Sequence, residues 1–234
     1  MAIRKKHAKN RIDGDLTRNS ILDHAERLFS IDGYTGVSVR QVTAAARVDA
    51  SMINYHFGTK EKLFHEVLIR RIDAMSRARL EKLKSIKIKA DDPATITRIL
   101  DAFLVPMIGT GEEEVRRLKN YRALIALVAN SKTWQDVIFK EHYDPVAKIF
   151  IGTLSSALPQ ASNGEICWAF SFFLGSVVNA FAETGRIDRL SGKECRSSDL
   201  EEARRQLIQY AVGGFMHLRG NSTGASNRHA QKRG

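Results

Sequence analysis

The chain has 234 residues, 43% of them hydrophobic, so it is long and apolar enough to bury a sizeable globular core. Its formal net charge of +11 is concentrated in residues 1–20 and 217–234, which indicates either a polyanionic partner or basic solubilising ends. No secretory or transit signal is recognisable, no apolar run is long enough to cross a bilayer uninterrupted, and the only cysteines are Cys167 and Cys195. These features exclude a disulfide-stabilised secreted class and predict a cytoplasmic protein without a membrane partner.

The N-terminal region is predicted to be a basic arm followed by a helix. Residues 1–15 are polar and poor in large apolar groups, so we expect a flexible arm. The helix is expected to be capped by Thr17 and to stop at Gly33. Its apolar residues recur at helical spacing on one face: Ile21, Leu22, Ala25, Leu28 and Phe29.

Residues 38–57 read as two short helices joined by a tight turn, which is the pattern of a helix-turn-helix. Ser38 is a suitable N-cap for the first helix, which is expected to end near Arg47. Asp49 can cap the second helix by accepting hydrogen bonds from the backbone of Ser51 and Met52. The outer face of the second helix then carries short or hydrogen-bonding side chains of the kind that read base edges in a major groove.

The rest of the chain reads as helices without a convincing strand pattern. Thr59 is expected to cap a long helix that runs from about Lys60 into residues 78–84. Asp92 and Pro93 open the next helix, which is expected to break at Pro106. Further helices are expected over about 112–130, 133–157 with a kink or junction at Pro145, 166–182 and 200–218. The predicted fold class is all-α.

The segment from Val48 to Phe64, with Tyr55-His56-Phe57 followed by Lys60-Glu61, resembles the recognition helix and following helix of TetR-family (tetracycline-repressor-type) transcriptional regulators. The resemblance covers residues 17–65 and includes the order and spacing of the preceding helix and Gly33-Tyr34. One position departs from it, because Arg47 stands where the family often has glycine. We therefore expect a turn made without a residue that adopts positive φ freely.

The resemblance implies a three-helix DNA-binding domain over 16–62 and a ligand-binding and dimerisation domain over 63–218. The polar, basic residues 219–234 are expected to form a disordered tail. Of the recognition-helix residues, Tyr55, His56 and Lys60 are expected to hold phosphates, whereas Ala50, Ser51, Met52 and Asn54 are expected to face bases. The full set expected to contact DNA is Thr17, Ser38, Val39, Arg40, Ala50, Ser51, Met52, Asn54, Tyr55, His56 and Lys60. The expected partner is double-stranded DNA with a palindromic operator, bound by a homodimer.

The C-terminal domain is expected to bind a small hydrophobic or amphipathic effector, because it is rich in aromatic residues and, in the family, this domain senses ligands. The residues expected to line the site are Tyr121, Arg122, Trp134, Tyr143, Trp168, Phe172, Phe173 and Asn179. Each aromatic residue taken singly can equally be ordinary core. Arg122 is the first candidate for holding an acidic head group. The helix from Ile166 is apolar all round, and the family pairs its last two long helices with those of a second subunit.

Enzymatic chemistry is not supported by the sequence. Cys167 lies in a strongly apolar helix, where a thiol is normally inert packing. The run Glu141-His142-Tyr143-Asp144 points to different sides of a helix, so it makes a poor metal cage. We expect no cofactor, metal or catalytic residue. The interpretation is a ligand-responsive repressor, and the alternative is a helical hydrophobic-ligand enzyme or carrier without sequence-specific DNA binding.

Overall fold

The structure is a computed structural model that describes residues 2–219. For residues 2–13, Gln135 and Val137 it describes the backbone alone. Over the described residues every regular element is a helix, as the sequence predicted. The basic arm expected over 1–15 and the tail expected over 219–234 fall largely outside the described side chains, so their roles stay predictions.

The first helix, α1, spans Ala2–Gly36 and is interrupted at Gly33, which adopts φ 66° and ψ −179°. The predicted stop at Gly33 is therefore a break followed by one short turn. The predicted start is wrong, because Thr17 lies inside α1 and not at its N-terminus. The residues before Thr17 lack proline and include several Ala, Lys and Arg, which favour helix. The helix therefore extends further toward the N-terminus than predicted.

Three short helices follow α1; the first and third pack against α1, and the second packs against the first. They are α2 (Val39–Ala46), α3 (Ser51–His56) and α4 (Lys60–Ile69). Thr59 caps α4 as predicted, since its hydroxyl accepts a hydrogen bond from the Lys62 backbone at 3.1 Å. Gly58 separates α3 from α4 and adopts φ 78°, a conformation that glycine enters without strain.

The helix predicted to run unbroken from Lys60 to about residue 84 is instead two helices. It breaks at Arg70 and Arg71, and α5 then spans Ile72–Lys84. Both arginine side chains turn toward Glu26 on α1 and hydrogen-bond to its carboxylate. The break is therefore associated with Glu26, which lies 44 residues before Arg70 in the sequence. Helical periodicity within the segment cannot reveal such a distant partner.

The C-terminal part contains the remaining helices, and each predicted helix has a counterpart. In chain order they are α6 (Pro93–Ile108), α7 (Glu112–Val128), α8 (Lys132–Trp134), a π-helix (Gln135–Tyr143), α9 (Asp144–Ala157), α10 (Asn163–Phe181), α11 (Arg186–Leu190) and α12 (Leu200–His217). Asp92 caps α6 and Pro93 opens it, as predicted. Pro106 does not end α6, which continues to Ile108 and stops at Gly109. The junction expected at Pro145 is the boundary between the π-helix and α9.

The packing joins both halves of the chain through α1 and α7. α1 contacts α2 and α4 and also packs along α7, while α6 packs against α5, α9 and α12. α10 contacts α7, α9 and α12. By length and composition α10 could span a membrane, but a single such helix among the described residues is weak evidence, since core helices pass the same test. Its contacts with three other helices account for the apolar residues on its inner side.

Candidate nucleic-acid interface

Ser38 fixes the start of the helix-turn-helix by a reciprocal pair of hydrogen bonds. Its hydroxyl accepts from the Gln41 backbone N–H at 3.2 Å, and the Gln41 side-chain oxygen accepts from the Ser38 backbone at 2.7 Å. This capping box satisfies two backbone donors that would otherwise lack partners at the helix end. The predicted cap is confirmed, and Ser38 remains exposed beside the turn.

The turn between α2 and α3 is made by Arg47, which itself adopts the left-handed conformation at φ 55° and ψ 44°. The turn is thus made without glycine, as the sequence shows, and Arg47 takes up the positive φ itself. Two backbone hydrogen bonds close the turn, from Arg47 to Ala44 at 3.3 Å and from Val48 to Thr43 at 3.0 Å. They hold a conformation that costs a non-glycine residue roughly 1–2 kcal/mol.

The second helix, α3, is held against the core by one apolar side. Ile53 and Phe57 are buried in the same hydrophobic core as Val42 of α2. The Asp49 carboxylate accepts a hydrogen bond from the Ser51 backbone at 2.8 Å, and this bond lowers the pKa of Asp49. The capping role predicted for Asp49 is thus seen toward Ser51, whereas the Met52 backbone bonds to the Asp49 carbonyl instead. These contacts fix which side of α3 faces solvent.

The outward side of α3 presents most of the residues expected to face bases. Ala50, Ser51 and Asn54 are exposed, whereas Met52 is half-buried and packs against the core. Tyr55 is 79% exposed. A short helix with small and amide side chains outermost can enter a major groove closely enough for hydrogen bonds to base edges.

The two remaining residues expected to hold phosphates, Lys60 and His56, are both half-buried. Lys60 places its ammonium 4.3 Å from the centre of the Tyr34 ring. His56 is half-buried, and its Nε2 is buried without a hydrogen-bond partner among the described groups. Burial lowers the pKa of His56, and the charge of Arg18 lowers it further. The imidazole is therefore biased toward its neutral form.

The residues expected to contact DNA outside α3 lie at two places. Ser38, Val39 and Arg40 form the first turn of the helix-turn-helix, with Arg40 exposed and Val39 half-buried. Thr17 is half-buried inside α1. Contact between these residues and DNA stays a prediction.

An ion-pair cluster behind the helix-turn-helix was not predicted from the sequence. Glu26 on α1 is buried and accepts hydrogen bonds from Arg70 at 2.6 Å and from Arg71 at 3.2 Å. Asp23 accepts a further bond from Arg70 at 2.8 Å. The available signal was the Arg70-Arg71 pair inside an otherwise amphipathic helix. This cluster links the DNA-binding helices to α5.

The residues expected to line the effector site are spread over different surroundings. Trp168 and Phe172 are each 65% exposed on the outer side of α10, and Asn179 is also exposed. Phe173, on the other side of α10, is buried in the core. The sequence could not orient α10, because the helix is apolar on every side.

Two further predicted residues are held by internal hydrogen bonds. Arg122 is buried, and its terminal nitrogens donate to the carbonyls of Ile108 at 2.9 Å and Val115 at 2.8 Å, so it ties together the α6–α7 connection. The Tyr121 hydroxyl donates to the Leu68 carbonyl at 2.8 Å and lies 2.8 Å from the Tyr143 hydroxyl. The buried Arg122 therefore has a structural role in this conformation, and ligand binding by the predicted set stays a prediction.

Trp134 lies elsewhere, at the junction of the two parts of the chain. It packs against Phe64 at 4.6 Å and Tyr34 at 5.4 Å between ring centres. It lines a cleft of about 550 Å³ whose walls also include Leu124 and Leu127 of α7. The cleft is thus bordered by both the helix-turn-helix part and the C-terminal helices.

These features define the class of protein: an all-helical chain whose exposed α3 is presented by a capped helix-turn-helix reads as a DNA-binding protein. Comparison with known families agrees with this class. Residues 21–67 match the model of bacterial regulatory proteins of the tetR family, and residues 101–214 match the tetracyclin repressor-like C-terminal domain. The chain belongs to the TetR family of transcriptional regulators.

Two curated regulators are similar in sequence to part of this chain. The HTH-type transcriptional repressor NicS of Pseudomonas putida is 36% identical over 90 residues, 38% of this chain and 41% of the relative. The HTH-type transcriptional regulator AcrR of Shigella flexneri is 32% identical over 111 residues, 47% of this chain and 49% of the relative. The chain therefore matches less than half of the length of each of these curated relatives.

The fold is shared more widely than the sequence. A TetR-like transcriptional regulator from Rhodococcus sp. RHA1 superposes with a TM-score of 0.58 at 17% identity, covering 85% of this chain and 94% of that one. The similarity extends through the C-terminal helices, where sequence alone gave only a helical pattern. The two family matches make the protein a DNA-binding transcriptional regulator.

Proposed function

We propose that this protein is a homodimeric, cytoplasmic repressor that binds a palindromic operator and leaves it when a small hydrophobic or amphipathic effector binds the C-terminal domain. The observation that carries the DNA-binding part is the outward side of α3, where Ser51, Asn54 and Tyr55 are exposed beside an internally capped turn. Side chains so placed can read base edges, while the exposed Arg40 and nearby Lys60 can approach phosphates.

The exposed side of α10 supports the homodimer. Trp168 and Phe172 stack with ring centres 5.6 Å apart on the surface, although large aromatic groups are normally covered. Gly175 on α10 and Gly213 on α12 face open space, so both helices permit close approach of another helix. A second copy of the same surface covers these groups, and a two-fold dimer places its two α3 helices on successive major grooves.

The experiment for this proposal is a selection of bound DNA sequences with the purified chain, followed by affinity measurements on the selected site and on random DNA. Asn54→Ala is expected to reduce discrimination by about 1–3 kcal/mol if the contact is bidentate. Lys60→Ala is expected to weaken binding to both DNAs. It should also lower, by about one unit, the slope of log affinity against log salt concentration. Equal losses on the two DNAs for both variants would refute this division of roles, and failure to enrich any palindrome would refute the operator.

A further inference from the structure

Arg79 is a buried cation without a carboxylate partner in the interior of the C-terminal domain. It lies on α5 and is only 4% exposed. Its Nε donates to the Phe103 carbonyl at 2.8 Å, and its guanidinium carbon lies 3.9 Å from the centre of the Phe103 ring. Among the described residues no carboxylate pairs with it, and its terminal amino groups make no hydrogen bond to a described protein group. A buried charge is normally paired because desolvation is expensive.

Arg79 differs in this respect from the other buried arginine. Both terminal nitrogens of Arg122 donate to backbone carbonyls, although its Nε is buried without a hydrogen-bond partner. Burial lowers the pKa of Arg79 to about 10, which still leaves the guanidinium protonated at neutral pH. The interior therefore holds a positive charge with unused donors. Its signal in the sequence is the interruption by Arg79 of the apolar face formed by Ile72, Met75 and Leu83.

Two tyrosine hydroxyls accompany this charge. Tyr121 and Tyr143 both interact electrostatically with Arg79, and their hydroxyl oxygens are 2.8 Å apart. Since the Tyr121 hydrogen is donated to the Leu68 carbonyl, the Tyr143 hydroxyl donates to Tyr121. Tyr143 ends the π-helix, a rare type of segment that occurs frequently at functional sites. The cluster thus combines one cation with two hydroxyls, whose hydrogens a negatively charged oxygen would take over from the Leu68 carbonyl and the Tyr121 oxygen.

The surroundings of the cluster are aromatic. Phe103, which lies under the guanidinium, packs edge-on against Phe150 at 5.1 Å, Phe170 at 5.4 Å and Phe173 at 5.9 Å between ring centres. An occupant that pairs with Arg79 therefore meets apolar groups with the rest of its body. This combination favours an organic anion with a hydrophobic part over a cation or a small, highly charged metabolite.

We propose that Arg79 anchors the carboxylate of the effector, with the hydroxyls of Tyr121 and Tyr143 completing the head-group site and the Phe103 cluster receiving the apolar body. This inference rests on the proposed function and names the chemical class of its effector, an amphipathic carboxylate. Arg79, rather than the predicted Arg122, is the anchor.

The same hydrogen bonds lead to the DNA-binding part. Tyr121 donates to the carbonyl of Leu68, which lies just before the break between α4 and α5, and its ring lies 5.7 Å from the guanidinium carbon of Arg71. A carboxylate that accepts the tyrosine hydrogens weakens the bond to Leu68. The carbonyl at the end of α4 then loses its partner, so head-group binding biases the junction that positions α4 and the preceding α3.

The test uses the full chain and calorimetry without DNA, with decanoate, 1-decanol and decyltrimethylammonium as probes and with benzoate and benzyl alcohol as a shorter pair. A carboxylate is expected to bind about tenfold or more tightly than its matched alcohol, and the ammonium probe to bind most weakly. Arg79→Gln is expected to abolish this preference, whereas Arg79→Lys retains part of it. Arg77→Gln, an exposed change on the same helix, is the matched control and should leave binding unchanged.

Tyr143→Phe keeps the ring and removes only the hydroxyl, so it tests the site even if Arg79→Gln fails to fold. It is expected to reduce the preference for carboxylate over alcohol severalfold. Equal binding of acid and alcohol by the wild type, no binding of either carboxylate, or an unchanged preference in a folded Arg79→Gln or Tyr143→Phe variant would overturn the proposal. Operator binding by the ligand-free protein tests the proposed function separately, so the two failures are distinguishable.

Discussion

Glu26 and Arg70 are joined by a 2.6 Å ion pair that connects the C-terminal part of α1 to the break between α4 and α5. The carboxylate also receives two hydrogen bonds from Arg71, so a single buried group holds both arginines of the break. Because the helix-turn-helix lies between α1 and α4 in the chain, this contact sets where α4 leaves the DNA-binding part.

Glu26→Gln is expected to destabilise the protein by about 1.5–3 kcal/mol, because charge-assisted hydrogen bonds to a buried carboxylate are lost. The matched control is Asp23→Asn, which removes the second and much more exposed partner of Arg70 and should cost about 1 kcal/mol or less. Urea denaturation of both variants measures the difference. Equal losses would mean that burial of Glu26 contributes nothing.

Arg47→Gly is expected to stabilise the DNA-free protein by about 0.5–1 kcal/mol, because glycine adopts the left-handed conformation of this turn without steric strain. Arg47→Ala removes the same charge and side chain but retains the strain, so it should show no gain. Thermal unfolding of the two variants separates the backbone effect from the effect of charge. A gain in Arg47→Ala as large as in Arg47→Gly would assign the effect to charge.

Phe172→Glu is expected to weaken self-association by about 2 kcal/mol or more, because it places a charge in the surface proposed to pair two copies. Operator affinity should fall with it, since each half-site then binds alone. Leu190→Glu on α11 is the control, because Leu190 is also strongly exposed but lies outside α10 and α12. Sedimentation equilibrium gives the dimer affinity, and dissociation of both variants to the same extent would contradict the proposed surface.

The pKa of His56 is expected to lie below its ordinary value of 6.5, because burial disfavours the imidazolium and Arg18 repels it. The unfolded chain then binds more protons than the folded one. The contribution of His56 to stability is therefore present above pH 6.5 and is lost as the pH falls through the folded-state pKa. NMR titration of His56 in wild type and Arg18→Gln measures the shift, which should be smaller in the variant. A pKa of 6.5 or above in wild type would contradict this account.

Local signals in the sequence predicted the helices well where the decisive contacts are local. Ser38, Thr59 and Asp92 each bond to a backbone N–H within three residues, so a single stretch of sequence contains both partners. The break at Arg70 could not be predicted in this way, because it depends on Glu26 on another helix.

The candidate sites show the same difference between local and long-range contacts. The exposed side of α3 follows from its narrow apolar stripe, and Asn54 and Tyr55 lie outward as expected. The effector residues could not be placed, because α10 is apolar all round and the side that faces outward depends on α7, α9 and α12. Arg122 illustrates the limit well, since the carbonyls it binds belong to a connection whose shape is not evident in the sequence.

The packing of α1 along α7 as well as against α2 and α4 has a consequence for exchange of modules between regulators. A chimera that joined the first 67 residues of this chain to the C-terminal domain of another regulator would bring along the α1 surface that α7 covers here. Unless the new partner offered a matching helix, that surface would be left in water. Recombination within the family is therefore constrained by the fit of α1 to α7, and a functional swap requires the two helices to be exchanged together.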